Sequence, residues 1–320
     1  MIMKEPLTKL KWSKYLIIAV AGFLIPLILV FTSSAEEGLA NCVEKVCSKK
    51  VLDDISKSPE CLIYLINNLW VLIAGILVFA MQLGFALLEA GFSPAKNTVN
   101  VLFKNVADVC LGIVVFFLFG YAIMYHPETC ATSPESNEIG KRVLELRSSY
   151  IALNQVVTRA GAEQLTREGA PHLSVYIDFF FQAAFAATSA TICSGAVAGR
   201  IKPLAYLVLT FIITGIVYPI SGSWVWGGGW VDKFEFHFHD FAGSLVVHAV
   251  GGAAALACVI ILGPRKGRFD GRGQLSPREE SELKPHNLPL AAMGTFILWL
   301  GWYGFNAGST VTTPTSNQRL

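Results

Sequence analysis

Trp226-Gly227-Gly228-Gly229-Trp230, a short polar connection, and then Asp240-Phe241-Ala242-Gly243-Ser244-Leu245-Val246-Val247-His248-Ala249-Val250-Gly251-Gly252 form the stretch on which the reading turns. Beyond Gly252 an uncharged apolar run continues to Gly263-Pro264-Arg265. About 20 apolar residues suffice to cross a bilayer as a helix. This run opens on an acid and carries His248 a third of the way in, and ionisable groups at such depth are costly enough to mark function. Gly243, Ser244, Gly251, Gly252, Ala253 and Ala254 would let a second backbone approach closely. The stretch therefore describes a helix inside a bundle, facing a polar pathway, rather than a simple anchor.

Composition agrees. Of 320 residues, 53% are hydrophobic and 15% charged, well below the quarter or so that is charged in soluble domains. The fold class is an all-α membrane protein. No basic patch interleaved with aromatics suggests a nucleic-acid partner. Enzyme signatures such as HExxH, a phosphate-binding loop, a GxSxG elbow or a CxxC pair are also missing from the sequence. No metal or cofactor is implied.

At the start, Lys4, Lys9, Lys11 and Lys14 precede an apolar run from Tyr15 to Phe31 and the small residues Thr32-Ser33-Ser34-Ala35. That is the layout of a secretory signal, with an uncleaved anchor as the alternative; residues 1–35 are assigned to it. Residues 36–65 form an extracytoplasmic segment with Cys42, Cys47 and Cys61, and Cys130 sits in a later loop on the same side. On an oxidising side these four could pair in any of three ways, or remain thiols. Cys110, Cys193 and Cys258 fall in apolar spans and read as small buried hydrophobes.

Six spans are expected, over 66–92, 99–125, 175–197, 204–220, 241–262, and from the Pro289 region to about Gly308. Positive residues mark the cytoplasmic side. Lys96, then Arg200 and Lys202, then Arg265, Lys266, Arg268, Arg272, Arg278 and Lys284 all lie in loops on one side, whereas the loop between the fourth and fifth spans has only Lys233. A mature N-terminus outside the cell membrane gives the same topology.

Several residues carry competing readings. His248 is either a histidine bonded to backbone within the bundle or a pathway group, able to accept, donate and relay protons. Asp240 reads as the helix N-cap, which also fixes a negative charge below the outer mouth. Trp226, Phe185 and Phe305 could belong to an interfacial belt, as Trp224 and Trp230 suit, or to a cation–π cage, with Ser309 adding a hydroxyl acceptor.

These motifs resemble the ammonium transporters, the Amt/Mep/Rh family, and the Amt/Mep branch in particular. The matching residues are Asp240-Phe241-Ala242-Gly243-Ser244, Val247-His248, Gly251-Gly252, Ala255-Leu256 and Gly263-Pro264-Arg265. Further blocks are Leu88-Glu89-Ala90-Gly91 with Lys96-Asn97, Phe181-Gln182-x-x-Phe185, Trp226-Gly227-Gly228-Gly229, Lys284-Pro285-His286-Asn287-Leu288-Pro289 and Gly301 to Ser309. The resemblance implies an outer substrate-binding site for ammonium at Phe185, Trp226 and Ser309, supported structurally and electrostatically by Asp240. It implies a pore gate at Phe185 and Phe305, and His248 as the first of two pore-lining histidines. Ammonium would be deprotonated after recruitment, and ammonia would cross a pore too apolar for hydrated cations. The family also implies a lipid bilayer, a homotrimer with one pore per subunit, and a PII-type regulator of nitrogen status at the cytoplasmic loop from Arg265 to Lys284.

Family members have eleven spans, two inverted five-helix repeats and a last helix. This chain matches the first repeat plus one helix of the second, over residues 66–309, with Thr310 to Leu320 a polar tail outside the pattern. It is expected to be truncated, with the second pore histidine lacking a counterpart and transport belonging to the full-length parent. An ammonium sensor with a fused C-terminal signalling domain is the alternative. A membrane enzyme built on His248 and Asp240 is disfavoured, because eight residues along a helix separate them by roughly 12 Å.

Overall fold

The computed structural model describes residues 59–125, 173, 175–227, 229–232, 234, 238–269, 273–274 and 284–311. The signal segment, the side chains of Cys42, Cys47, Cys61 and Cys130, and residues 312–320 lie outside it, as does the loop from 126 to 172. Among the described residues six helices are long and apolar enough to cross a membrane: Leu65–Phe92, Ala95–Met124, Tyr176–Val197, Pro203–Val225, Ser244–Leu262 and Leu288–Ala307. These are called the first to sixth spans.

The boundaries follow local chemistry. The first helix runs Pro59–Phe92, starting seven residues before the expected 66 because Leu62, Ile63 and Leu65 continue its apolar pattern. Pro203 and Pro289 lie in the first turns of their helices, where a missing N–H costs nothing. Asn287 caps the sixth span, its Oδ1 accepting the Leu290 N–H at 3.0 Å. The fourth span reaches Val225 rather than 220, continuing through a π-helical turn at Ile213–Val217.

The third span lies at the centre. Its apolar stretch is 78% buried inside the molecule, against 17% for the fifth. Phe181, Phe185, Ala186, Thr188, Ser189 and Cys193 on it are almost wholly buried. The first and sixth spans meet through glycines. A methyl group on Gly294 would come within 2.5 Å of the Leu88 nitrogen, and one on Gly91 within 2.5 Å of the Ala291 nitrogen. Without a hydrophobic force between helices in lipid, such close backbone packing is a main source of association. The outward faces are apolar, with Ile260, Ile261, Phe296 and Trp299 more than half exposed from the bundle, as suits contact with acyl chains.

Four spans contain a π-helical turn: Phe116–Gly120, Ile213–Val217, Ser244–Ala249 and Tyr303–Ala307. Such turns insert one residue into an α-helix and concentrate at functional sites. Here the last two carry His248 and Phe305.

Candidate functional site

Asp240 organises one end of the site. It is 5% exposed, and its carboxylate accepts four consecutive backbone N–H groups. Oδ1 takes those of Gly243 and Ser244 at 2.9 and 2.8 Å; Oδ2 takes those of Leu245 and Val246 at 2.9 and 2.8 Å. These are orphan donors of the fifth span's first turn, which a carboxylate satisfies while complementing the helix dipole. Gly243 enters the helix at φ +88°, a left-handed conformation that a side chain resists, and a Cβ there would lie 2.6 Å from Val247 Cγ2. The Asp240 backbone carbonyl accepts the Trp226 indole N–H at 2.7 Å, so one residue anchors both the helix start and the tryptophan.

Below Trp226 the aromatics form a file. Phe185 lies 6.2 Å from Trp226, edge to face at 72°. It stacks on Phe305 at 4.1 Å with 16° between the planes and packs against Phe181 at 4.5 Å. Phe185 and Phe305 are each 1% exposed, so the pair closes the space between the third and sixth spans. His248 in turn meets Phe305 in an edge-to-face contact, at 5.3 Å and 75°. Trp226, Phe185, Phe305 and His248 thus come together from the third span, the end of the fourth, the fifth and the sixth, although up to 120 positions separate them in sequence, while Ser309 contacts the Phe305 carbonyl one turn back on its own helix.

The polar atoms along this file are oriented by their neighbours. Val247 and His248 N–H both point at the Gly243 carbonyl, at 2.9 and 3.0 Å, the second being the π-helical bond. His248 Nδ1 lies 3.3 Å from the same carbonyl. A carbonyl can only accept, so Nδ1 is the donor in this contact. Ser309 donates its hydroxyl hydrogen to the Phe305 carbonyl at 2.6 Å, leaving the oxygen lone pairs free to accept. Both groups are half-buried.

The opposite end is basic. Arg200 Nη1 donates to the Gly263 carbonyl at 2.9 Å and Arg265 Nε to the Ala198 carbonyl at 3.1 Å. Each arginine therefore covers carbonyls at the other's helix end, where cations are favoured. Burial, reinforced by the positive charges of Arg200 and Arg268, lowers the pKa of Arg265 from its ordinary value. His286 Nδ1 donates to the Ser93 carbonyl at 2.7 Å, joining the link after the first span to the start of the sixth.

Sequence reading missed a second buried polar cluster, at Glu89, Lys104 and Asp108. The signal was available: Lys104 and Asp108 stand four apart, hence on one helix face, in an otherwise apolar span. Among the described residues no group of three or more His, Cys, Asp or Glu side chains could hold a metal ion.

Six membrane-length apolar helices packed into one bundle define a multi-pass membrane protein. The Ammonium Transporter Family model matches residues 69–319, and the chain belongs to that family. It is 50% identical over 246 residues to a putative ammonium transporter of Synechocystis, a match covering 77% of this chain and 49% of that protein. Against ammonium transporter Amt2 of Archaeoglobus fulgidus it is 39% identical, over 90% of this chain and 54% of that one. Among solved structures, one titled "Sensor Amt Protein" matches with TM-score 0.63 and 34% identity, over 79% of this chain and 57% of that one. Candida albicans Mep2 matches with TM-score 0.58 and 29% identity, over 77% and 49%. The chain spans about half the length of the curated relatives it matches.

Proposed function

We propose that this chain forms part of an ammonium transporter, in which Trp226, Phe185 and Ser309 recruit the ion, Phe185 and Phe305 gate it, and His248 receives the ammonia beyond. The observation that carries the reading is the file itself: Trp226 to Phe185 at 6.2 Å, Phe185 to Phe305 at 4.1 Å, Phe305 to His248 at 5.3 Å. Ring faces attract a small cation and replace part of its water, and the Ser309 oxygen accepts one of its hydrogens. A stacked apolar pair in a dry site admits neutral ammonia far more readily than an ion. Deprotonation therefore precedes passage, and His248 Nε2 is the first acceptor met on the other side.

In this reading the Trp226 end faces outward at the cell membrane and the Arg265 end faces the cytoplasm, consistent with the loop charges. Family resemblance supports a homotrimer with one pore per subunit and a PII-type regulator at the Arg265–Lys284 loop, and the layout of residues 1–35 supports cleavage of the N-terminal segment. The curated relatives bear transporter names, which favours transport over the sensing alternative.

The test is uptake of labelled methylammonium by cells that lack their own ammonium uptake and express the gene carrying this chain. Saturable uptake that resists excess potassium, and that is abolished in H248A and W226A at equal protein level, is expected. Uptake competed by potassium, or unchanged in H248A, would rule out this pathway.

A further inference from the structure

Apart from the aromatic file, the first four spans bury a polar junction that the proposed pathway does not use. At one level Lys104 Nζ donates to Glu89 Oε2 at 3.1 Å and to the Ser194 carbonyl at 2.7 Å, and lies 4.9 Å from the centre of the Tyr206 ring. One turn along the second span, Asp108 is wholly buried. Its Oδ1 meets the Thr210 hydroxyl and its Oδ2 lies 2.8 Å from Thr191 Oγ1. Thr191 Oγ1 is also 2.8 Å from Gln82 Oε1 and 2.9 Å from the Ala187 carbonyl. Gln82 Nε2 in turn donates to Thr188 Oγ1 at 3.0 Å, whose hydrogen goes to the Ala184 carbonyl at 2.8 Å.

Hydrogens can be counted through this chain. A hydroxyl has one, yet Thr191 Oγ1 is surrounded by three oxygens. With a proton on Asp108 Oδ2, that carboxyl donates to Thr191, Thr191 donates to Gln82 Oε1, and Thr210 donates to Asp108 Oδ1. Every side-chain oxygen is then served. Reversing the Gln82 amide would serve the hydroxyls around an ionised Asp108 equally well, so charge decides between the two. Glu89 and Lys104 neutralise each other. The other titratable groups packed here, Cys193 of the third span, Tyr206 of the fourth and Cys258 of the fifth, are uncharged in their ordinary forms. An ionised Asp108 would leave one negative charge without a counter-ion among the described residues, inside the membrane, where that is costly.

We propose that Asp108 is a neutral acid, its proton held on Oδ2 and donated to Thr191, and that it acts as a positioning residue for the gate. Through Thr191 and Thr188 the third span is tied to Asp108 of the second span and Gln82 of the first. Phe185 stands six residues before Thr191 on that same helix, so the junction sets its depth against Phe305. The link to the gate rests on the transport reading; the proton assignment does not.

Infrared spectroscopy of the full chain in lipid at neutral pH tests it. A protonated-carboxyl stretch that shifts in heavy water, persists in the charge-conserving E89Q/K104M double variant and is missing from D108N is expected. D108N reproduces a neutral acid, accepting from Thr210 and donating to Thr191, so it should melt with the wild type and keep its uptake. D108A should melt well below both and lose most uptake. No Asp108-dependent band, or D108N failing to fold or melting as low as D108A, overturns the proposal. If the band is present and D108N melts normally while even the wild type takes up nothing, the proton assignment stands and the transport reading fails.

Discussion

Asp240→Asn isolates the most concentrated set of hydrogen bonds in the site. The amide keeps one oxygen, able to serve two of the four N–H donors now bound at 2.8–2.9 Å. Its NH2 group would face the other two, donor against donor. A hydrogen bond to a charged group contributes about 1.5–3 kcal/mol, so losing two costs about 3–6 kcal/mol. For a chain of 320 residues 1 kcal/mol shifts the melting temperature by roughly 1.5 °C, which places D240N about 4–9 °C below the wild type. D240A loses all four bonds and should fall further. Thermal unfolding in detergent, followed by circular dichroism, gives the ordering wild type, D240N, D240A. Tryptophan fluorescence should report Trp226 loosening, since its indole N–H is held by the Asp240 carbonyl. A D240N protein that melts with the wild type refutes the view that the carboxylate holds the fifth span's first turn.

Other substitutions probe the remaining contacts. Lys104→Met strands the buried Glu89 carboxylate and should cost about 3–5 kcal/mol, while E89Q combined with K104M should regain most of that in the same melting assay. Gly243→Ala combines a left-handed φ, costing roughly 1–2 kcal/mol, with a Cβ 2.6 Å from Val247; lowered melting and lowered methylammonium uptake are expected together. Gly294→Ala places a methyl 2.5 Å from the Leu88 nitrogen, so it should push the sixth span off the first and reduce uptake by moving Phe305 from Phe185. Phe305→Ala leaves a cavity in place of one stacked ring and should destabilise by about 3–5 kcal/mol, with the selectivity of uptake against potassium measured alongside.

Much of this was legible from sequence because a bilayer demands long apolar runs, and those runs are visible. All six spans lie within a few residues of their expected positions, although the first helix begins earlier, at Pro59. Asp240 standing before an apolar run signalled a helix start, but the cap position falls on Gly243, three residues later, and the Asp240 carboxylate reaches past it to four donors. The packing of Phe185 on Phe305 could not be read from spacing, since 120 residues separate them; it was available only through family resemblance. The π-helical turns left no pattern either, because one extra residue in an apolar helix does not alter its hydropathy. Lys104 and Asp108 were visible as charges, but neither the pairing of Lys104 with Glu89 nor that of Asp108 with Thr191 and Thr210 was, since pairing depends on how the helices pack.

The π-helical turn at Ser244–Ala249 has a consequence for sequence change over time. It holds one residue more than an α-helix would need, and each residue turns a helix by roughly 100°. A single-codon deletion there would restore regular α-helical bonding, so it would spare the fold locally. It would also swing His248 by about that angle relative to the Asp240 turn and so away from Phe305. A deletion at this point would therefore be tolerated by the helix yet, on the transport reading, rejected by the pathway, and the extra residue would be a length marker lost only together with the contact between His248 and Phe305.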